Sequence, residues 1–233
     1  MDLNRFYSTD IGINADPLYS VVSKYKDTTF VDLGVRSGVS SEIMLIDSHT
    51  NNNKVFGVDV DWSMLNQSVD SHPNYTKILG DSSTVGKYWD TKISGLFVDT
   101  FHIKEQVLSE LYFWYPHVEE GGFIAFHDTN WPEGIHDVYD GMTWDRVEEG
   151  VKSFFNVDSL NYEDEYIKMS NYPESWWMTI VEIKKKKDYM SEFPNWEEVI
   201  DKRNHLISIF WNEGNKSDVK IELVLNVWLC NSR

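Results

Sequence analysis

The hydrophobic positions of this chain fall into short runs, separated by stretches in which apolar residues recur at helical spacing. "TTFVDL" predicts a short apolar strand, and "SSEIMLIDSHT" a helix with Ile43, Met44 and Ile46 on its apolar face and Ser40 or Ser41 as its cap. "NNNKVFGVDV" reads as a turn and a second strand, "DWSMLNQSVDSH" as another helix, and "YTKILGDS" as a third strand. "ISGLFVDT" is apolar throughout, the composition of a strand buried on both faces. "IKEQVLSELYFWYPHV" predicts a long helix with Val107, Leu111 and Trp114 on one stripe, and "EEGGFIAFHD" a Gly-Gly turn leading into a fifth strand. Ahead of all these, Asp16-Pro17 is expected to open a helix through Tyr25, with Asp16 as N-cap and Pro17 at the first helical position.

Strand and helix in alternation imply an α/β fold: a mostly parallel sheet flanked by helices, with right-handed crossovers. Ligands of such sheets bind beyond the C-terminal ends of the strands. An acid stands at each of those ends: Asp32, Asp59, Asp81, Asp99 and Asp128. Beyond Asp128, "WDRVEEGVKSFF" predicts a helix, and "EDEYIKMSNYPESWWMTIVEIKKKK" two strands turning at "SNYPES", an antiparallel pair at the sheet edge. "NWEEVIDKRNHLISIFW" predicts a further helix and "DVKIELVLNVWL" a final strand, with Asn212 to Asp218 as the turn or linker between them.

Composition narrows the function. The 233 residues suffice for a substantial core, and 41% are hydrophobic. No apolar run approaches the roughly 20 residues that cross a bilayer, so no membrane association is expected. No secretory leader is visible, and the one cysteine, Cys230, leaves no intrachain disulfide; a cytoplasmic setting is the expectation. The net charge of -17 repels phosphate backbones and disfavours nucleic acid as a partner. The basic run Lys184 to Lys187 reads as a solvated strand end, with a local anion site as the alternative. The sequons at Asn66, Asn74 and Asn215 are expected to be chance matches.

The chemistry concentrates at the strand ends. In "DLGVRSG", Gly34 and Gly38 clear space where a backbone turns beneath a ligand, and the next helix aims its first amides there. The spacing is Asp-x-Gly-x-x-x-Gly rather than the dinucleotide pattern, and Asp32 disfavours a phosphate. Asp99-x-x-His102 and His127-Asp128 form a second constellation, in which two carboxylates offer hard oxygen ligands to a cation such as Mg²⁺.

"VDLGVRSGVSS" resembles motif I of the class I S-adenosylmethionine (SAM) methyltransferases; "VFGVDVD" and "ILGDS" are similar to their second and third motifs. "GLFVDTFHIKE" and "WYPHVEEGGFIAFHDT" resemble a small-molecule and sugar O-methyltransferase subgroup that includes macrolide-sugar O-methyltransferases and cephalosporin hydroxylase-like proteins. The resemblance runs from Phe30 to Thr129. It implies a Rossmann-like methyltransferase domain over residues 1–187, with residues 188–233 as a C-terminal appendage packed on it. It implies a cofactor site from Asp32, Gly34, Val35, Arg36, Ser37, Gly38 and Ser40 around the first turn, with Asp59 and Val60, Asp81 and Ser82, and Asp99. In that scheme Asp59 accepts both ribose hydroxyls, Asp81 and Ser82 meet the adenine edge, and Asp32 and Gly34 face the amino-acid end. Metal-dependent relatives imply that Asp99, Asp128 and Thr129 hold Mg²⁺, with Asn130 as a further oxygen. They imply His102 as the base that takes the proton of a small-molecule or sugar hydroxyl, and Asp99 as its catalytic companion. His127 is expected either to add a ligand or to orient Asp128; His117 and His136 are expected at the surface. Trp131, Trp144, Trp176 and Trp177 either cover the acceptor site or pack in the core. The chain departs from the subgroup's "IDGDHSYE" in "VDTFHIKE", keeping His102 and Glu105. That departure leaves open a catalytically silent SAM-fold binding or assembly protein; a further alternative is a metal-free N- or O-methyltransferase relying on His102 alone. The aromatic segment "IELVLNVWLC" suits pairing across a homodimer.

Overall fold

A computed structural model of the chain describes residues 3–129, 138–139, 142–143, 146–174, 177–193 and 195–214. The strands are β1 (Thr29–Leu33), β2 (Lys54–Asp59), β3 (Tyr75–Leu79), β4 (Ile93–Val98), β5 (Val118–Phe126), β6 (Val138–Tyr139), β7 (Met142–Thr143), β8 (Tyr162–Glu163), β9 (Ile167–Tyr172) and β10 (Met178–Ile183). The α-helices are α1 (Ala15–Val22), α2 (Val39–Leu45), α3 (Ser48–Asn51), α4 (Gln67–Asp70), α5 (Ser82–Lys87), α6 (Lys104–Trp114), α7 (Val147–Phe155) and α8 (Trp196–Gly214). Eight strands form one sheet in the order β3-β2-β1-β4-β5-β10-β9-β8, with β6 and β7 as a separate antiparallel ribbon. β1 to β5 are parallel; β10, β9 and β8 continue the sheet antiparallel. The expected Rossmann-like α/β architecture with an antiparallel extension is what forms.

Alternation along the strands divides the core between the two faces. Val31, Leu33, Leu96 and Val98 pack with Leu111 and Trp114 of α6 and Val151 and Phe154 of α7. Phe30, Val55, Phe97 and Phe123 pack on the other face with Leu18 of α1 and Ile43 of α2. β4 is buried at every position, as its unbroken apolar run requires. α8 lies along α6. The chain runs outward from β1 to β3 and then returns to place β4 on the other side of β1. This reversal opens a crevice at the C-terminal ends of β1 and β4, between the connections that follow them.

Several local expectations are corrected. α1 starts at Ala15, and Asp16 lies inside its first turn, where its carboxylate accepts the Tyr7 hydroxyl at 2.6 Å instead of capping. α1 also stops at Val22, short of Tyr25. The N-cap of α2 is Gly38; Ser40 and Ser41 sit inside the helix and donate to Asp32. Of "DWSMLNQSVDSH" only Gln67–Asp70 is helical, because Asp61 accepts the Ser63 amide at 2.8 Å and hydroxyl at 2.9 Å and holds a turn. The expected edge pair is real, but β10 pairs with β5 on one side and β9 on the other, and β8 is the outer strand. α8 continues through Gly214, into the segment expected to be a linker. The expected final strand lies outside the described residues, as do Asn130, Trp131, His136, Trp144 and Trp176. No helix among the described residues is long and apolar enough to cross a membrane.

Candidate active site

The first connection fits under its neighbour with no room to spare. Gly34 has φ +82°, and a Cβ on it would lie 1.9 Å from the carbonyl oxygen of Asp99. Gly38 has φ +86°, and a Cβ there would meet Leu65 at 2.8 Å. Only glycine suits both constraints at either position. Between them Val35 is buried, and the Ser37 carbonyl accepts the Asn66 amide at 3.2 Å. The Arg36 amide donates to Asp59 at 2.8 Å, while its guanidinium turns outward to Asp10 at 3.4 Å.

Asp32 lies beneath this turn rather than facing open space. It is fully buried, and one carboxylate oxygen accepts both the Ser40 hydroxyl, at 2.7 Å, and that of Ser41. The other oxygen has no partner. Burial pushes the carboxyl up to about 7 against the two hydroxyls that favour its charge, and the nearby Asp99 and Asp59 add to the rise. Ser40 therefore spends its hydroxyl on Asp32.

Asp59 ends β2, with one oxygen on the Arg36 amide and the other on the Asp61 amide at 2.9 Å. Each carboxylate oxygen retains acceptor capacity beyond these bonds. A cleft of about 190 Å³ opens beside it. Gly34, Asp59 and Val60 line it from the first two connections, Asp81 and Ser82 from the third, Thr100, Phe101 and Gln106 from the fourth, and Arg203 and Ile207 from α8. Asp81 caps α5 by accepting the Thr84 amide at 2.9 Å, and it pairs with Arg203. Behind Ser82 lies Glu110, fully buried on α6. One of its oxygens accepts from Ser82, from Thr100 at 2.8 Å and from Gln106 at 2.6 Å; the other has no partner. Gln106, Glu110, Arg203 and Ile207 were not anticipated from sequence. Glu110 carried a signal: it falls between Val107 and Trp114 on the buried stripe of α6, where a charge needs a reason. Arg203 carried none, being one of several charges on a polar helix.

The second constellation converges beyond β4 and β5. His102 Nε2 lies 3.3 Å from carboxylate oxygens of both Asp99 and Asp128. Ligand atoms of Asp99, His102 and Asp128 all lie within 4.8 Å of one another, half-exposed. His127 sits under the two acids, buried, with Nδ1 3.2 Å from Asp128 and 3.5 Å from Asp99. These are ion-pair distances, and neither ring nitrogen makes an aligned hydrogen bond. Burial alone would push the His127 imidazole down and the Asp99 carboxyl up. Their mutual attraction, joined by Asp128 for the one and His102 for the other, reverses both shifts. Asp128 adopts φ +52°, a strained value for a residue with a side chain. Thr129 is buried, and its hydroxyl accepts from Thr179 at 2.9 Å and faces the Trp177 carbonyl at 3.4 Å, so it is engaged with β10 and the turn before it. His117 is half-buried rather than exposed. In the basic run, Lys184 pairs with Glu163 at 2.6 Å, and Lys186 lies 3.6 Å from the centre of the Tyr115 ring.

Comparisons with known proteins bear on the domain and on the fold. Residues 31–129 match a family described as a methyltransferase domain. An rRNA methylase from Streptococcus thermophilus superposes with a TM-score of 0.52 at 15% identity, covering 76% of this chain and 98% of that one. An O-methyltransferase from Bacillus cereus in complex with S-adenosylhomocysteine (SAH) gives 0.52 at 12% identity, covering 72% and 80%. The MycE methyltransferase of the mycinamycin biosynthetic pathway, in complex with Mg and SAH, gives 0.53 at 17% identity, covering 83% of this chain and 56% of that one. No curated protein matches in sequence. The chain thus carries a methyltransferase domain over residues 31–129, on a fold of the class I SAM-dependent methyltransferases.

Proposed function

We propose that this protein is a SAM-dependent O-methyltransferase acting on a hydroxyl of a small molecule or sugar, assisted by a divalent cation. The observation that carries the reading is the convergence of Asp99, His102 and Asp128 next to the cleft that Gly34 and Asp59 line. In this reading the cleft holds SAM, with both ribose hydroxyls on Asp59, a two-oxygen acceptor matched to two donors. Asp99 and Asp128 would hold Mg²⁺, their two carboxylates being the hard oxygen donors that this cation prefers, with Thr129 beside them. A bound cation there would lower the pKa of the acceptor hydroxyl. His102 would accept that proton, and SAM, when bound, would supply a sulfonium methyl group whose carbon–sulfur bond is exchanged for the new oxygen–carbon bond, with SAH as the leaving group. His127, beneath both acids, orients them. The net charge of -17 favours a small acceptor over RNA. MycE, whose structure holds Mg and SAH, supports the metal-assisted version.

Calorimetric titration with SAH, with and without Mg²⁺, tests the reading against an Asp59→Ala control. Binding by the wild type that is lost in the control supports it. No binding in either condition overturns it in favour of a catalytically silent scaffold, the alternative that the altered "VDTFHIKE" segment favours.

A further inference from the structure

The helix α8 reaches back to the cleft. Arg203 is only 7% exposed. Its Nε donates to Gln106 Oε1 at 2.7 Å, its Nη1 to Asn204 Oδ1 at 2.9 Å, and its Nη2 to Asp81 Oδ2. All three guanidinium nitrogens are therefore engaged in the plane of the group. These bonds fix the plane of the group, and beside one further N–H on each terminal nitrogen it offers a ligand its flat face, which suits an aromatic ring. Gln106 is itself fixed, donating to Glu110 at 2.6 Å and Ser82 at 3.0 Å, so the guanidinium is anchored to α6 through a buried chain of hydrogen bonds. One turn further along α8, Ile207 supplies an apolar contact to the same cleft. Both residues share the cleft with Asp81 and Ser82, on the side reached from the connection after β3.

We propose that Arg203 is a cofactor-positioning residue, its guanidinium locked between Asp81 and Gln106 and presenting its face to the adenine ring, with Ile207 beside it. This rests on the reading of the cleft as the cofactor site. It makes α8 part of that site rather than an appendage. It also assigns Asp81 a different task from direct recognition of the adenine edge: the carboxylate holds the arginine.

The test is SAH affinity measured by calorimetry for wild type, Arg203→Ala, Arg203→Lys and Asp59→Ala, together with hydrogen exchange of the wild type with and without SAH. Loss of a stacked planar cation is expected to weaken binding roughly tenfold in both arginine variants. Lysine can still pair with Asp81, so Arg203→Lys should melt close to the wild type while remaining weak for SAH, which separates positioning from stability. SAH should slow amide exchange in α8 around residues 203–207. Wild-type affinity in both arginine variants, full rescue by lysine, or exchange in α8 that SAH leaves unchanged would each overturn the proposal while leaving the cofactor reading intact. Failure of the wild type to bind SAH at all would overturn that reading, and this proposal with it. Should Arg203→Ala not fold, the wild-type exchange experiment decides alone.

Discussion

Gly34 and Asp99 touch through their backbones: the turn after β1 passes so close under the Asp99 carbonyl that a single methyl group on Gly34 would lie 1.9 Å from its oxygen. The contact joins the first connection to the strand end that carries the candidate acids. Gly34→Ala should therefore act on both sides of the site. It imposes a left-handed conformation on alanine and a steric conflict with backbone, together costing about 3 kcal/mol or more. Urea denaturation should report that loss, and SAH binding should weaken with it. A variant as stable as the wild type would mean that the turn can move away from Asp99.

Asp59 is the residue on which the cofactor reading depends most. Asp59→Asn retains an acceptor oxygen but cannot accept at both positions. It should weaken SAH binding by about 10- to 100-fold, consistent with the loss of charge-assisted hydrogen bonds. Asp59→Ala should lose more, because the amides of Arg36 and Asp61 also lose their acceptor. Calorimetry on the pair gives the comparison; equal affinity for SAH across wild type and both variants contradicts the assignment.

Removing one acid of the second constellation should separate metal from cofactor. Asp99→Asn and Asp128→Asn are expected to abolish any Mg²⁺ effect on the protein, with Asp128→Asn leaving SAH affinity within about threefold of wild type. Mn²⁺ relaxation of water protons offers a direct readout of cation binding. Undiminished Mn²⁺ binding in both variants would place the cation elsewhere.

Glu110 gives a pH dependence whose direction follows from its environment. Burial raises its carboxyl from 4.5 to about 7, against the hydrogen bonds from Ser82, Thr100 and Gln106 and the charge of Arg203. The folded chain then keeps a proton that the unfolded chain releases, so stability falls as pH rises from about 4.5 to about 7 and levels off above. Glu110→Gln removes this contribution. Between pH 5 and pH 8 the variant should gain on the order of 2 to 3 kcal/mol relative to wild type in urea denaturation. A constant difference between the two proteins across that range would contradict the buried, protonated state.

The sheet was legible in the sequence because its strands are bounded by strong punctuation. "TFVDLG", "VFGVDV" and "GLFVDT" each pair an apolar run with a terminal acid or glycine, and each proved to be a strand ending at the cleft or beside it. The acids at those ends were legible for the same reason. Helix starts were not, because capping is decided by geometry that composition leaves open: Ser40 and Ser41 have the chemistry of caps, yet a buried carboxylate eight residues away claims their hydroxyls. Arg203 was beyond reach of local pattern altogether. Its partners Asp81 and Gln106 lie 122 and 97 residues away, and only the packing of α8 on α6 brings them together.

That separation has a consequence for how the protein comes into being. During synthesis the chain can form β1 to β5 and expose every glycine and acid of the strand ends while the segment containing Arg203 and Ile207 is still unmade. The wall that α8 gives the cleft is delivered after these strands, by a contact of large sequence separation, and such contacts close slowly. A ligand that needs this wall would bind the chain with α8 in place and pass over the nascent one, so its capture would mark the docking of that helix.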